Sequence, residues 1–283
     1  MSAEAMSSVE HWARITTGPE DAINLAEGAL AIAAQEYQDL DIRAYLDKLD
    51  EMGTTLQKRL RPDISTADSI RMLNHYLFED LGFSGNTADY YDPRNSFLNE
   101  VIERRLGIPI TLSVVYIEVG RRIGLPLHGV SFPAHFLVKC TVRDGAIVLD
   151  PYSKGVSLGL DDLVKRLKSW RSGIEPDTDL IKNMLATAGS REILARILRN
   201  LRGIYLNKGE LTKALHASDR IITLDPQSAE EYRDRGKIYL DLECFRAALG
   251  DFRSYLLLNP DAGDADEIKG KTIELQQLAS RLN

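Results

Sequence analysis

Two stretches near the end of this chain repeat one another at a fixed offset. Tyr205 and Tyr239 lie 34 residues apart, and so do Ala214 and Ala248, Leu215 and Leu249, Leu224 and Leu258, and Pro226 and Pro260. Five matches at one offset are hard to obtain by chance, and a period of this length marks a repeat architecture. Proline ends helices, so each copy is expected to stop at its proline. Copies of this kind bury their faces against one another, and two fall short of the roughly three that stand alone. Cover is therefore expected at the open ends, a helix over 264–282 at one and, at the other, either a helix near Leu180 to Leu185 or the preceding stretch over 82–175 itself.

The Tyr, small-residue and Pro spacing resembles the tetratricopeptide repeat, whose unit is a pair of antiparallel helices. The second copy fits better, with Gly236, Tyr239, Ala248 and Phe252 in place, whereas Ser218 stands where the first copy should carry Phe. Stacked pairs of this type form a concave groove that suits a partner protein. Arg191, Arg196, Arg199 and Arg202 form a basic stripe on the first repeat helix. It reads either as a solvated face or, through Arg196, Arg199 and Arg202, as a contact for an acidic peptide.

At roughly 150 residues per domain, 283 residues favour two domains. The expected division is a tail over 1–19, a helical and mixed region over 20–185, the two repeats over 190–262 and a capping helix over 263–283. The boundary falls between about Glu175 and Ser190. Net charge is −7, which argues against general nucleic-acid binding and against an anionic membrane surface. The first residues lack a charged start followed by an apolar core, and no apolar run approaches ~18 residues. With two cysteines, Cys140 and Cys244, there is no disulfide framework, and a reducing cytoplasm fits best.

The stretch before the repeats begins helical. Apolar residues recur at helical spacing over 20–37, again after Asp41, and again after Ser65, which with Asp68 resembles a capping box. A polar loop over 84–94 follows. Ser96 is placed to cap a helix ending at Gly107, and Pro109 to open the next one, which stops at Gly124-Leu125-Pro126. The period then changes to alternation: Val130 and Phe132, then a strand from His135, then Ala146 to Leu149 after an Asp144-Gly145 turn. A short antiparallel sheet is expected, and helix returns over 161–170.

Three pieces of this middle stretch resemble the transglutaminase-like superfamily, which shares a papain-like arrangement. They are Gly107-Ile108-Pro109 opening a helix that ends in Arg121-Arg122-Ile123-Gly124-Leu125-Pro126, the run Ala134-His135-Phe136-Leu137-Val138, and Asp150-Pro151. Joined to the repeats, they make the chain similar to bacterial SirB-type proteins. The resemblance implies an α+β fold: a helical N-terminal region and a small antiparallel sheet, followed by an all-α repeat region. It also implies what active relatives carry: a Cys at the start of the helix, a His on the first strand and an Asp on the next.

Such a triad has a physical logic. Exposed amides at a helix start lower the thiol pKa, a His takes the proton, and a carboxylate orients the imidazole. Fifteen residues back from Gly124, the nucleophile position holds Pro109. Proline offers neither a nucleophile nor a backbone N–H for an oxyanion. No cysteine lies between Met1 and Lys139. Cys140 is at an odd offset from His135 on a strand, which puts it on the other face, and Cys244 is in the repeats. Thr111 and Ser113 are the remaining hydroxyl candidates.

His135 and Asp150 then read either as a structural pair or as the remnant of a site. Asp92, Asn95 and Asn99 read as loop caps. His75 and His128 lack partners at ligand spacing, so no metal is expected. The glycines show no phosphate-binding spacing, so no cofactor is expected. The sequence thus points to a pseudoenzyme scaffold that binds a protein partner, with a hydrolase or acyl-transfer enzyme using His135, Asp150 and a hydroxyl as the alternative.

Overall fold

The computed structural model describes residues 8–170 and 178–281, and the chain divides into two compact units, Met1–Ile193 and Leu194–Asn283. The first seven residues of the expected tail, the boundary at Glu175 and the helix end at Leu282 lie outside the described residues.

The first unit begins with α1 (Ser8–Thr16), α2 (Leu25–Ala33), α3 (Ile42–Gln57) and α4 (Thr66–Asn74). It continues through β1 (Ser84–Gly85), α5 (Leu98–Arg104), β2 (Leu106–Gly107) and α6 (Pro109–Arg122). Then come β3 (Leu127–Val130), β4 (Leu137–Val142), β5 (Gly145–Asp150), β6 (Val156–Leu158), α7 (Leu160–Trp170) and α8 (Thr178–Met184).

Capping chemistry sets several of these starts. Asn24 accepts from Glu27 N, Asp41 from Ala44 N and Ser65 from Asp68 N, each near 3 Å. These side chains satisfy amides that the first turn leaves without partners. The expected helix over 20–37 is shorter, because a 3₁₀ turn at Glu20–Ala22 precedes the Asn24 cap. The expected tail also contains order: α1 buries Trp12 and Ile15, which share one face at a spacing of three, and packs against α2. Alternating polar and small neighbours conceal that face in the sequence.

The centre of the unit is α6. From Pro109 to Gly120 every residue is buried. A helix surrounded in this way is apolar over most of its circumference, and its buried polar side chains, Thr111, Ser113 and Glu118, are hydrogen-bonded. Here α2, α3, α4 and α5 contribute to one part of its surround, and β3, β4 and the turn at Pro151–Ser153 to another. The main sheet is antiparallel in the order β3-β4-β5-β6. Val130, Leu137 and Val148 of the sheet, with Phe132 from the segment after β3, are buried against Leu163 and Leu167 of α7 and Ile181 of α8. β1 and β2 form a separate parallel pair, Gly85 opposite Gly107, just before α6.

The second unit contains most of α9 (Ser190–Asn207), with α10 (Leu211–Leu224), α11 (Ala229–Asp241), α12 (Phe245–Leu258) and α13 (Ala265–Arg281). α10 packs against α11, α11 against α12 and α12 against α13. Ile268 and Leu275 of α13 join Ala248, Phe252 and Tyr255 in one core, so α13 covers the second repeat.

The two repeats solve one packing problem differently. In the second, Phe252 lies against Gly236, where a Cβ would meet the ring at 2.7 Å. The equivalent positions 34 residues earlier are Ser218 and Arg202. There the long side chain comes from the other helix: Arg202 reaches buried Ser218 Oγ at 3.4 Å. It also pairs with Glu231 at 2.5 Å and Asp234 at 3.2 Å. Arg199 joins the same Glu231 at 2.6 Å. Glu231 is only 3% exposed, so its charge needs these partners. The basic stripe is therefore not a free face. Arg199 and Arg202 are committed to carboxylates of α11, and Arg196 also has an interaction partner.

Candidate functional site

Asp150 ends β5 and is fully buried. Its Oδ1 accepts from Tyr152 N at 3.1 Å and Ser153 N at 3.3 Å, which caps the turn begun by Pro151. His135 Nε2 meets the same oxygen at 2.9 Å. Oδ2 accepts from Ser153 Oγ at 2.8 Å and from Arg166 of α7 at 2.5 Å. Burial alone would push this carboxyl up. The hydrogen bond and charge of His135, with Ser153 and Arg166, outweigh it and hold Asp150 at about 2.

His135 lies in the bend before β4, not on the strand as its alternation with Phe136 and Leu137 predicted. Ala134 just before it has φ of +54°, a left-handed conformation that costs a residue with a Cβ. That turn lets the His135 ring meet Asp150, and the Tyr152 ring stands edge-on to it at 6.0 Å.

The helix start lies on the other side of the same turn. α6 packs against Pro151–Ser153, and Gly85, paired to Gly107 at the entrance of α6, seats the Tyr152 ring. A Cβ on Gly85 would lie 2.3 Å from that ring. Gly85→Ala is thus expected to displace Tyr152, cost about 1–3 kcal/mol in thermal unfolding, and move the His135 ring resonances in NMR.

Pro109 occupies the first turn of α6 and is buried. Thr111 Oγ1 accepts from Ile108 N at 3.1 Å and donates to Asn95 O at 2.7 Å. Ser113 Oγ donates to Pro109 O at 2.7 Å. Both hydroxyl protons are thus engaged by carbonyls, and Thr111 serves as the cap of α6. Asn95 extends this network to Asn86 at 3.0 Å and to Asp89 O at 2.7 Å. Asp92 caps its own turn through Arg94 N and pairs with Arg94 and Arg104, which hold its carboxyl low against the opposing effect of burial. Loop capping accounts for Asn95 and Asp92. Ser96 does not cap α5: the cap position is Phe97, and Ser96 Oγ and Asn99 Oδ1 are buried without hydrogen-bond partners.

Cys140 is buried on β4, and burial pushes its thiol up, away from the thiolate. Cys244 is exposed at the start of α12. Among the described residues no group of three His, Cys, Asp or Glu is placed to hold a metal, and no helix is long and apolar enough to cross a membrane. Arg166 and Ser153 are the members of the cluster that sequence reasoning missed. Ser153 had a signal, three residues after the Asp of an Asp-Pro pair, whereas Arg166 is one of several cations on a polar helix face.

Residues 43–199 match the family model of the transglutaminase-like superfamily, and residues 201–270 match that of the tetratricopeptide repeat. The chain belongs to the transglutaminase-like superfamily. A UPF0162 protein of Xylella fastidiosa is 41% identical, with 93% of this chain and 94% of the relative covered. A UPF0162 protein of Pseudomonas aeruginosa is 32% identical over 91% of this chain and 93% of its own length. Protein SirB1 of Salmonella typhimurium is 23% identical over 87% and 91%. In this family member the transglutaminase-like region is followed by repeats of a type suited to protein interaction.

Proposed function

We propose that this member of the transglutaminase-like superfamily is a non-catalytic, cytoplasmic scaffold or regulatory protein that engages a partner protein through its repeats. The observation that carries this reading is Pro109 at the helix start, where active relatives hold a Cys. Proline removes the thiol and an amide donor together. The hydroxyls nearby support it, since using Thr111 would uncap α6 and using Ser113 would break its bond to Pro109 O. The ion pairs around Asp150 give the His135 pair a structural role, joining β5, its turn and α7 to the bend before β4.

The His135–Asp150 contact is also what favours the alternative, a hydrolase or acyl-transfer enzyme with a hydroxyl nucleophile. An assay of the full chain against a panel of amide and ester substrates separates the two. Wild type and His135→Ala are expected to match the uncatalysed rate. Turnover that disappears in His135→Ala overturns the scaffold reading. For the partner, capture by the full chain is expected to be lost when residues 194–283 are removed, and an unchanged set of captured proteins overturns the repeat-groove role. Arg199 and Arg202 would contact such a partner only by giving up Glu231 and Asp234.

A further inference from the structure

We propose that the first unit carries a second binding site, a pocket for a small ligand in which an oxyanion, carboxylate or phosphate, is attached to an apolar body and gripped by Arg105. This site shares no residue with the cluster around Asp150, and it stands whether or not the scaffold reading does.

Three elements line an open pocket of about 530 Å³: α3, the π-helical turn His75–Asp80 that continues α4, and the end of α5. That volume is in the range of small-molecule sites. π-turns interrupt the regular ladder and recur at functional sites. Part of the wall is apolar, with Met52 and Ile102 buried and the ring of Tyr76 beside them.

The charges of the pocket are unequal in their partners. Lys48 pairs with Glu103, and Arg59 pairs with Asp80 while standing over the Tyr76 ring at 4.9 Å. Arg105 has no such match. Its guanidinium lies 4.7 Å from the centre of the Phe83 ring, and its Nη1 is shut from solvent without a hydrogen-bond partner. Among the described residues no carboxylate ion-pairs with it. Glu51 also lines the pocket, but it is exposed and water screens it. Glu103 attracts Arg105 at longer range but forms its ion pair with Lys48, so the donor left open in this wall is a cationic one. A buried donor left open is costly, and a planar guanidinium is the side chain best shaped to take a carboxylate or phosphate.

The backbone adds an independent observation. Arg105 is the C-cap of α5 with φ of +60°. Glycine, or at times asparagine, is the ordinary residue there, because a Cβ strains the left-handed conformation. An arginine in that position places a guanidinium in the pocket at a cost in strain, and such outliers gather at ligand sites.

The strain supplies a clean test. Arg105→Gly removes the guanidinium while easing the backbone, so the fold is expected to survive, and a circular-dichroism melt checks it. The full chain is titrated with benzoate and with phenyl phosphate, which carry the two oxyanions on one apolar ring, and with neutral benzyl alcohol, followed by calorimetry and by the arginine side-chain NMR signals. Saturable binding of at least one anion is expected, at least tenfold tighter than benzyl alcohol and at least tenfold weaker in Arg105→Gly. Whichever anion binds more tightly identifies the oxyanion source. Arg105→Lys, which keeps charge but loses the planar fork, is expected to fall between them. Failure of both anions to saturate, or equal binding by wild type and Arg105→Gly, overturns the proposal.

Discussion

Asp150→Ala is expected to destabilise the first unit by about 3–5 kcal/mol, the usual result of removing one partner from a buried ionic cluster. The carboxylate is fully buried and holds two cationic or polarisable partners, His135 and Arg166, whose side chains are only 16% and 31% exposed. Removing it leaves those groups without their common acceptor. It also releases the amides of Tyr152 and Ser153, which would then have to find water. Asp150→Asn should cost less, because an amide oxygen can keep the turn amides while losing the charge. Chemical denaturation, monitored by hydrogen exchange over β4 and β5, distinguishes the two variants.

The same carboxylate predicts an acid dependence. Its pKa lies at about 2 in the folded chain against 3.8 for the free group. Because the folded value is depressed, the stabilisation is present above the unfolded value and is lost as pH falls. About 2 kcal/mol should disappear between roughly pH 5 and pH 2. Asp150→Asn should flatten that part of the profile. A wild-type profile without this decline would show that the ion pairs do not stabilise the fold.

How much of this was legible in the sequence varies with the range of the interaction. The repeat, the caps at Asp41 and Ser65, and the Pro109 helix follow from local spacing, and the structure has them. His135 stands in the bend before β4 rather than on the strand, since alternation cannot show that Ala134 adopts a left-handed turn before the strand begins. Ser96 looked like a cap because serine before an apolar run usually is one, yet Thr111 ties Asn95 to α6 and the first turn of α5 begins beyond it. The contact of Gly85 with Tyr152 joins residues 67 positions apart, and no period reports it.

The arginine stripe has a signal in the repeat itself. Charges at helical spacing look solvated or ready for a partner. But Arg202 stands 34 residues before Gly236, and Ser218 stands 34 before Phe252. The first repeat lacks the ring and the second lacks the long side chain. Read as a pair, the two departures from the pattern compensate each other across two facing helices, which is what the Arg202–Ser218 contact does. A substitution that departs from a repeat is best judged together with the position it packs against.

That exchange predicts where the second repeat is most vulnerable. Phe252→Ala is expected to destabilise the second unit by about 3–5 kcal/mol. Phe252 is fully buried, and Gly236 offers no side chain to move into the vacated space. The cavity would open directly against helix backbone, between Ala248 and Tyr255 and beneath Ile268 of α13. Small neighbours cannot collapse into it, and cavity volume left unfilled carries most of the penalty. Phe252→Leu should recover a large part of the loss, since it refills most of the volume. In the first repeat, Ser218→Ala should cost far less: it removes only one long hydrogen bond, while Arg202 keeps Glu231 and Asp234. Hydrogen exchange of the α11 and α12 amides, compared among the three variants, provides the measurement. Equal protection in Phe252→Ala and Ser218→Ala would show that the second repeat does not depend on the ring seated on Gly236.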